Sequence, residues 1–456
     1  MCRRLRRRAV FRDVARDWAG VAGNYAFLNG RWFDGKGFEA ATWYSVEGRL
    51  TRKPPQGPVE VVDLSGLFVV PPFGEAHNHN VEGPWDIEEV VQRYLKDGVF
   101  YVKIPGNIAE FTNPIRERIN RPTSIDVIFS NGGLTATGGH PAPLYEEVLA
   151  VTRYATVLGK VEKGWFNNRA YFLIDSEADL EHTWTTIFAD KPDFLKTFLA
   201  HSETYAQRRD PPRTNAHAGL NPELLPLIVT KAHGAGFRVS THVETAADFR
   251  HAVRAGVDEI THFPGWRVPD AEDVTAARLT EQDAERAAAA GVVVVTTTVA
   301  GQMMPGHSRH ASHDPHQKAT PGSAHAPQPQ ADDTAPRAVQ RDNLRLLLQH
   351  HVPLAIGSDH ADTSLAEVLN LRSFELFDNL TLLNMWCETT PRAIFPGRKI
   401  GRFEEGYEAS FLALGGNPLD DFTQVQSIRS RFKQGMPLDD QAIPGADGSN
   451  ATQRAH

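Results

Sequence analysis

Between residues 67 and 360 the chain repeats one alternation: a short, strongly apolar run and then an amphipathic helical stretch. The apolar runs are LFVVPPFGEAHNH, VFYVKIPG, IDVIFSNGG, DFLKTFLAHSE, FRVSTHVE, DEITHFPG, VVVVTTTVAG and VPLAIGSDH. Helical patterns lie between them, among them DIEEVVQRYLKDG, PELLPLIVTKAHGAG, AADFRHAVRAGV, EQDAERAAAAG and AVQRDNLRLLLQHH. Strands buried on both faces read as continuous apolar runs, and helices between them act as crossovers of a parallel sheet. Eight such units predict an α/β fold, a (β/α)8 TIM barrel spanning residues 73–396.

The flanks follow a different rhythm. In 24–72, the stretches NYAFLNGRWFDG, TWYSVEGRL and VEVVDLSGLFVVPP alternate aromatic or β-branched residues with polar ones, and Asn29-Gly30 and Asp34-Gly35 supply turn chemistry. GRFEEGYEASFLALGGNPL returns to that pattern after the barrel. Residues 24–72 plus 397–440 are therefore expected to form one small β-sandwich domain from both chain ends. Two stretches interrupt the barrel rhythm: an excursion over 157–192, and the Pro- and His-rich segment 301–336, whose composition predicts a mobile loop after the seventh strand. Residues 1–23 are expected to be a disordered or frayed extension and 441–456 a flexible tail.

Composition narrows the function. Lysine plus arginine number 48 against 56 acidic residues, a net charge of −8, which excludes a generally basic nucleic-acid binder. Cys2 and Cys387 are the only cysteines, so neither a disulfide framework nor a thiolate zinc cluster is available. The basic start MCRRLRRRAVFRDVARDWAG has no apolar run behind its charges and fails as a secretory signal. No stretch reaches the ~18 apolar residues of a spanning helix. A soluble protein is expected, with the cytoplasm favoured and the periplasm open should the start be misassigned.

Nineteen histidines remain to be placed. His77 and His79 close the first apolar run, two apart, so strand periodicity points both imidazoles the same way. His242 ends the fifth run, His262 the sixth and Asp359 the eighth. All five sit at the carboxyl ends of barrel strands, where active sites of that architecture are built. Imidazole suits zinc and its neighbours. Glu75 shares a face with His77 and is expected to accept a hydrogen bond from it. His201, His217 and His360 read as loop or surface residues. The five histidines between His307 and His325 lie on a segment with no rigid spacing and read as a solvated linker, with lid or metal-buffering roles as lesser readings.

Four of these motifs, in order, resemble the amidohydrolase superfamily: VVPPFGEAHNH its first strand, STHVETAADFRHAVRAGVDEITHFPG its fifth and sixth, IGSDH its eighth, and TTPRAIFPGRKIGRFEEGYEASFLALGG the exit from the barrel. The likeness covers roughly 24–437 and looks closest to the imidazolonepropionase-like and prolidase-like branch. Asn78 between the histidines and PPFGE in place of PGLID depart from the usual pattern. The resemblance implies that His77, His79 and Asp359 hold one divalent cation, zinc by preference, and that His242 and His262 hold a second when present. It implies that a carboxylated Lys196 bridges the two, with Lys103 a weaker candidate, that Asp359 carries the proton, and that His140 in GGLTATGGH, the glycine-rich loop after the third strand, faces substrate. The expected activity is hydrolysis of an amide or cyclic amide of a small molecule by metal-activated water. The alternatives are a mononuclear deaminase- or imidazolonase-type enzyme and, in another class, a catalytically silent binding barrel. No nucleic-acid or membrane partner is expected, and a homo-oligomer is open.

Overall fold

A computed structural model describes residues 23–209, 218–266, 274–300 and 335–438. The amino-terminal extension, most of the segment 301–336, His217 and the tail beyond 438 lie outside the described residues.

All eight apolar runs contain a strand: Phe73–Glu75, Val99–Ile104, Asp126–Phe129, Leu195–Phe198, Val239–His242, Glu259–Thr261, Val293–Val295 and Leu354–Ala355. They are parallel to their neighbours and fall into two sheets. The first three make one; the last five, with two further short strands, make a seven-stranded sheet. Every residue of Val99–Ile104 is buried, as expected for a sheet covered on both faces. Backbone bonds link the first and last runs, from Ala76 N to Ile356 O (2.8 Å) and from Ser358 N to His77 O (3.0 Å). On the far side Asp193 N donates to Phe129 O at 2.8 Å. The observed architecture is thus mixed α/β with two parallel sheets joined by these backbone bonds.

The helices follow their sequence patterns. In Ile87–Lys96 the buried side chains Ile87, Val90, Val91, Tyr94 and Leu95 make a single stripe at helical spacing. Helix Ala246–Ala255 opens on a capping box between Thr245 and Asp248 and stops at Gly256, whose φ of 81° suits glycine.

Two sequence expectations are corrected here. GGLTATGGH is only partly a loop, because Gly133–Thr135 is a strand that pairs with Tyr171–Leu173 and touches Leu195–Phe198. The excursion between the third and fourth strands thus begins before the expected 157–192: over 133–173 it extends the sheet and packs a small aromatic core of its own around Tyr145, Tyr154, Phe166 and Tyr171. Asn29-Gly30 is no turn either: it is a bulge inside Tyr25–Phe33, where pairing with Phe38–Val46 slips and Asn29 takes a φ of 62°.

Both chain ends meet in a further sheet. Phe68–Val70 runs antiparallel to Phe411–Leu414, Leu412 lying opposite Val70, and Ile428–Lys433 extends it. Hydrogen bonds join all eight of its strands into one mixed sheet. Its core is aromatic, with Phe27, Trp32, Phe411 and Phe432 in edge and stacked contacts. Among the described residues no helix is long and apolar enough to cross a membrane.

Candidate metal centre

The carboxyl ends of the strands bring the singled-out side chains together. His77 and His79 follow Phe73–Glu75, and the intervening Asn78 makes a parallel backbone bridge to Asp359. Asp359 Oδ1 lies 3.3 Å from His77 Nε2 and 3.4 Å from His79 Nε2. Each of the three offers one atom, all within 4.8 Å of one another. Ring contacts carry the cluster onward: His77 to His262 at 4.7 Å between centroids, His262 to His242 at 4.6 Å, and His242 to His140 at 4.8 Å. A cavity of about 50 Å³ opens among His77, His79, Gly106, His140, Tyr145 and His242.

Backbone strain collects at the same rim. His262, Thr297 and Asp359 have φ values of 68°, 57° and 57°. That region is costly for a β-branched residue such as Thr297, and strained conformations of this kind cluster at functional sites. Thr297 Oγ1 meets His262 Nδ1 at 2.6 Å.

Three of the four strand-end histidines are gripped at one ring nitrogen by a protein partner. His79 Nδ1 faces Glu82 Oε1 at 3.2 Å, His242 Nε2 faces Glu244 Oε1 at 3.3 Å, and His262 Nδ1 holds Thr297. Such contacts fix ring orientation and tautomer in metal sites. Sequence reading missed Glu82, Glu244 and Thr297. A signal did exist, since both glutamates close a Val-Glu pair just after a histidine, Val81-Glu82 and Val243-Glu244.

Glu75 behaves differently from expectation. Its Oε1 accepts the backbone N–H groups of His77 (3.3 Å) and Ser358 (2.8 Å), and its Oε2 pairs with Ser358 Oγ at 2.5 Å. It fastens the first strand to the eighth, while His77 Nδ1 is left without a hydrogen-bond partner. Burial raises the Glu75 carboxyl to about 8.

The two lysines separate cleanly. Lys103 is spent on a buried ion pair with Glu259 at 2.5 Å, which removes it as a free amine. Lys196, on Leu195–Phe198, is fully buried and its Nζ has no hydrogen-bond partner. Burial, with the nearby Lys103 charge, brings its amine down to about 7. Burial also holds His77 and His262 well below the usual imidazole value, hence neutral. Burial alone would raise Asp359, yet the neighbouring His360 and the hydrogen bond with His77 hold it well below the carboxylate range. The neutral imidazoles of His77 and His262 beside the ionised Asp359 are donors that suit a divalent cation. A buried amine without a partner is a group still owed one. His201 and His360, read as loop or surface residues, both follow strands: His201 is a buried loop residue beside Glu244, and His360 is exposed and 3.6 Å from Asp359.

No family model and no curated protein matches the chain. Solved structures do. An amidohydrolase shares 18% identity over 91% of this chain and 98% of its own, with a TM-score of 0.64. A prolidase solved with N-methylphosphonate-L-proline gives 18%, 91%, 99% and 0.65 in the same order. The ochratoxinase of A. niger gives 16%, 93%, 96% and 0.64. This chain shares their fold. Because it spans nearly their whole length, the likeness takes in the terminal sheet as well as the parallel strands.

Proposed function

We propose that the chain is a metal-dependent amidohydrolase that cleaves a carbon–nitrogen bond, an amide or cyclic amide, in a small molecule. The observation that carries this reading is the convergence of His77, His79 and Asp359, from opposite ends of the parallel-strand region, within 4.8 Å. The fold shared with an amidohydrolase and a prolidase agrees with it. We take residues 73–396 as the catalytic unit, its strands arranged as a (β/α)8 barrel.

His77, His79 and Asp359 would hold one divalent ion, zinc by preference, and His242 and His262 a second, with carboxylated Lys196 between them. Bound there, such ions polarise a carbonyl and acidify a water. His77, His242 and His262, held neutral by burial, would each leave a lone pair to a cation. Asp359, kept ionised by its surroundings, takes a proton from the attacking water and hands it to the departing nitrogen. His140 lines the cavity beside His242 and faces the substrate. A mononuclear enzyme is the second reading, favoured by the fact that only the His77, His79 and Asp359 atoms lie that close together among the described residues.

Metal content per chain separates the two readings, measured on purified protein alongside a hydrolysis screen of dipeptides and N-acyl amino acids. Asp359→Asn is expected to lower turnover by about 100-fold or more while circular dichroism is unchanged. Near-normal turnover in that variant refutes the proton role.

A further inference from the structure

Glu82 lies outside every motif that singled out the site, yet its side chain is only 4% exposed. One carboxylate oxygen, Oε1, faces His79 Nδ1 at 3.2 Å. The other, Oε2, receives Arg153 Nη1 at 2.8 Å, and the Tyr154 hydroxyl lies 3.5 Å from it. Arg153 also approaches His79 O at 3.4 Å. Arg153 begins the helix Arg153–Leu158, and Tyr154 is buried in the aromatic core of the excursion between the third and fourth strands. The far ring nitrogen, His79 Nε2, faces Asp359.

We propose that Glu82 is the positioning residue for His79 and that Arg153 holds Glu82 in place, so that the excursion 133–173 is wired into the metal centre. The inference rests on the metal reading above. A carboxylate this buried needs a cationic partner to remain ionised, and Arg153 supplies it. With Arg153 on Oε2, Oε1 is left to accept from His79 Nδ1–H, which turns Nε2 toward Asp359 and the place of the ion. The excursion thereby does more than extend the sheet. It sets the angle and basicity of one metal-binding ring, and a disturbance in its aromatic core reaches the centre through two side chains.

The test compares the full-length protein with Glu82→Gln, Glu82→Asp, Arg153→Met and the Glu82→Gln/Arg153→Met double variant. Zinc affinity is read by chelator competition, and ring geometry by the visible spectrum of the cobalt-substituted protein. Glutamine has a single acceptor oxygen, and Arg153 claims it, so the amide nitrogen turns a donor toward His79. Glu82→Gln is expected to weaken zinc binding roughly 10–100-fold and to alter the cobalt spectrum. Glu82→Asp recovers part of the loss, Arg153→Met shows a smaller loss of the same kind, and the double variant is no worse than Glu82→Gln alone. Should Glu82→Gln fail to fold, Arg153→Met carries the test. Wild-type affinity and spectrum in Glu82→Gln, or additive losses in the double variant, overturn the inference alone. A wild-type protein that takes up neither zinc nor cobalt overturns it together with the metal reading.

Discussion

Lys196 concentrates the chemistry at the scale of single residues. A fully buried amine titrating near 7 is half neutral at neutral pH, and only the neutral form adds carbon dioxide. Reconstitution of metal-free protein with zinc and bicarbonate is therefore expected to rise from pH 6 to pH 8 (roughly the span of one decade on either side of that value). Isotope-labelled bicarbonate read by NMR reports the carbamate, and Lys196→Met abolishes the signal. The same residue makes a stability prediction. The unfolded chain keeps this proton up to about 10.5, the folded one only to about 7, so unfolding takes up a proton between those values. Stability of the metal-free protein must rise with pH across that window, and Lys196→Met flattens the rise. At pH 7 the variant should gain roughly 1–4 kcal/mol in urea unfolding, because a buried amine without a partner gives way to a well-packed apolar chain. These two outcomes separate a residue kept for chemistry from one kept for packing.

The meeting of His77, His79, His242, His262 and Asp359 at one rim was legible because strand ends and residue chemistry both appear in the linear text. Glu82, Glu244 and Thr297 were not, because a hydrogen bond between a ring and its support depends on loop geometry that periodicity does not encode. Glu75 shows the converse. Its spacing matched a ring acceptor, but the carboxylate turned to the backbone N–H groups of His77 and Ser358 instead.

Among elements, the amino terminus of helix Ala246–Ala255 is the joint of the site. Asp248 accepts from the N–H groups of His201 (3.1 Å), Ser202 (2.8 Å), Glu244 (3.0 Å) and Thr245 (3.0 Å), and from Ser202 Oγ. It thus ties the loop after the Lys196 strand to the loop after the His242 strand. Asp248→Ala leaves those buried donors unpaired and is expected to cost about 1–3 kcal/mol in thermal or urea unfolding. Metal affinity should fall in parallel, and an unchanged affinity would show that the two loops hold their positions without it. The elements themselves were read well where burial on both faces makes a run continuously apolar. Reading failed at Gly133–Thr135, too short and too glycine-rich to signal a strand, and at Asn29-Gly30, where the residues of a turn serve a bulge.

For the whole molecule, the decisive joint is ionic. Asp126, the first residue of the third parallel strand, pairs with Lys433 Nζ at 2.6 Å and with Arg398 Nη1 at 2.8 Å. Arg398 also forks onto Glu408 at 2.9 and 2.7 Å. All four side chains are buried where the terminal sheet meets the parallel strands. Removing the shared carboxylate in Asp126→Asn strands the buried Lys433 and leaves Arg398 to Glu408 alone, and a loss of about 3–5 kcal/mol is expected by urea unfolding. A loss below about 1 kcal/mol would mean that apolar packing alone holds the two parts together.

The pairing of Phe68–Val70 with Phe411–Leu414 has a consequence for biosynthesis. A ribosome releases the first of these strands long before the second exists, so the early edge must wait exposed while everything between is translated. The same holds for His77 and His79, which cannot meet Asp359 until nearly the entire message has been read. A chain cut short before Phe411–Leu414 would therefore keep Phe68–Val70 as an open edge for chaperones to guard.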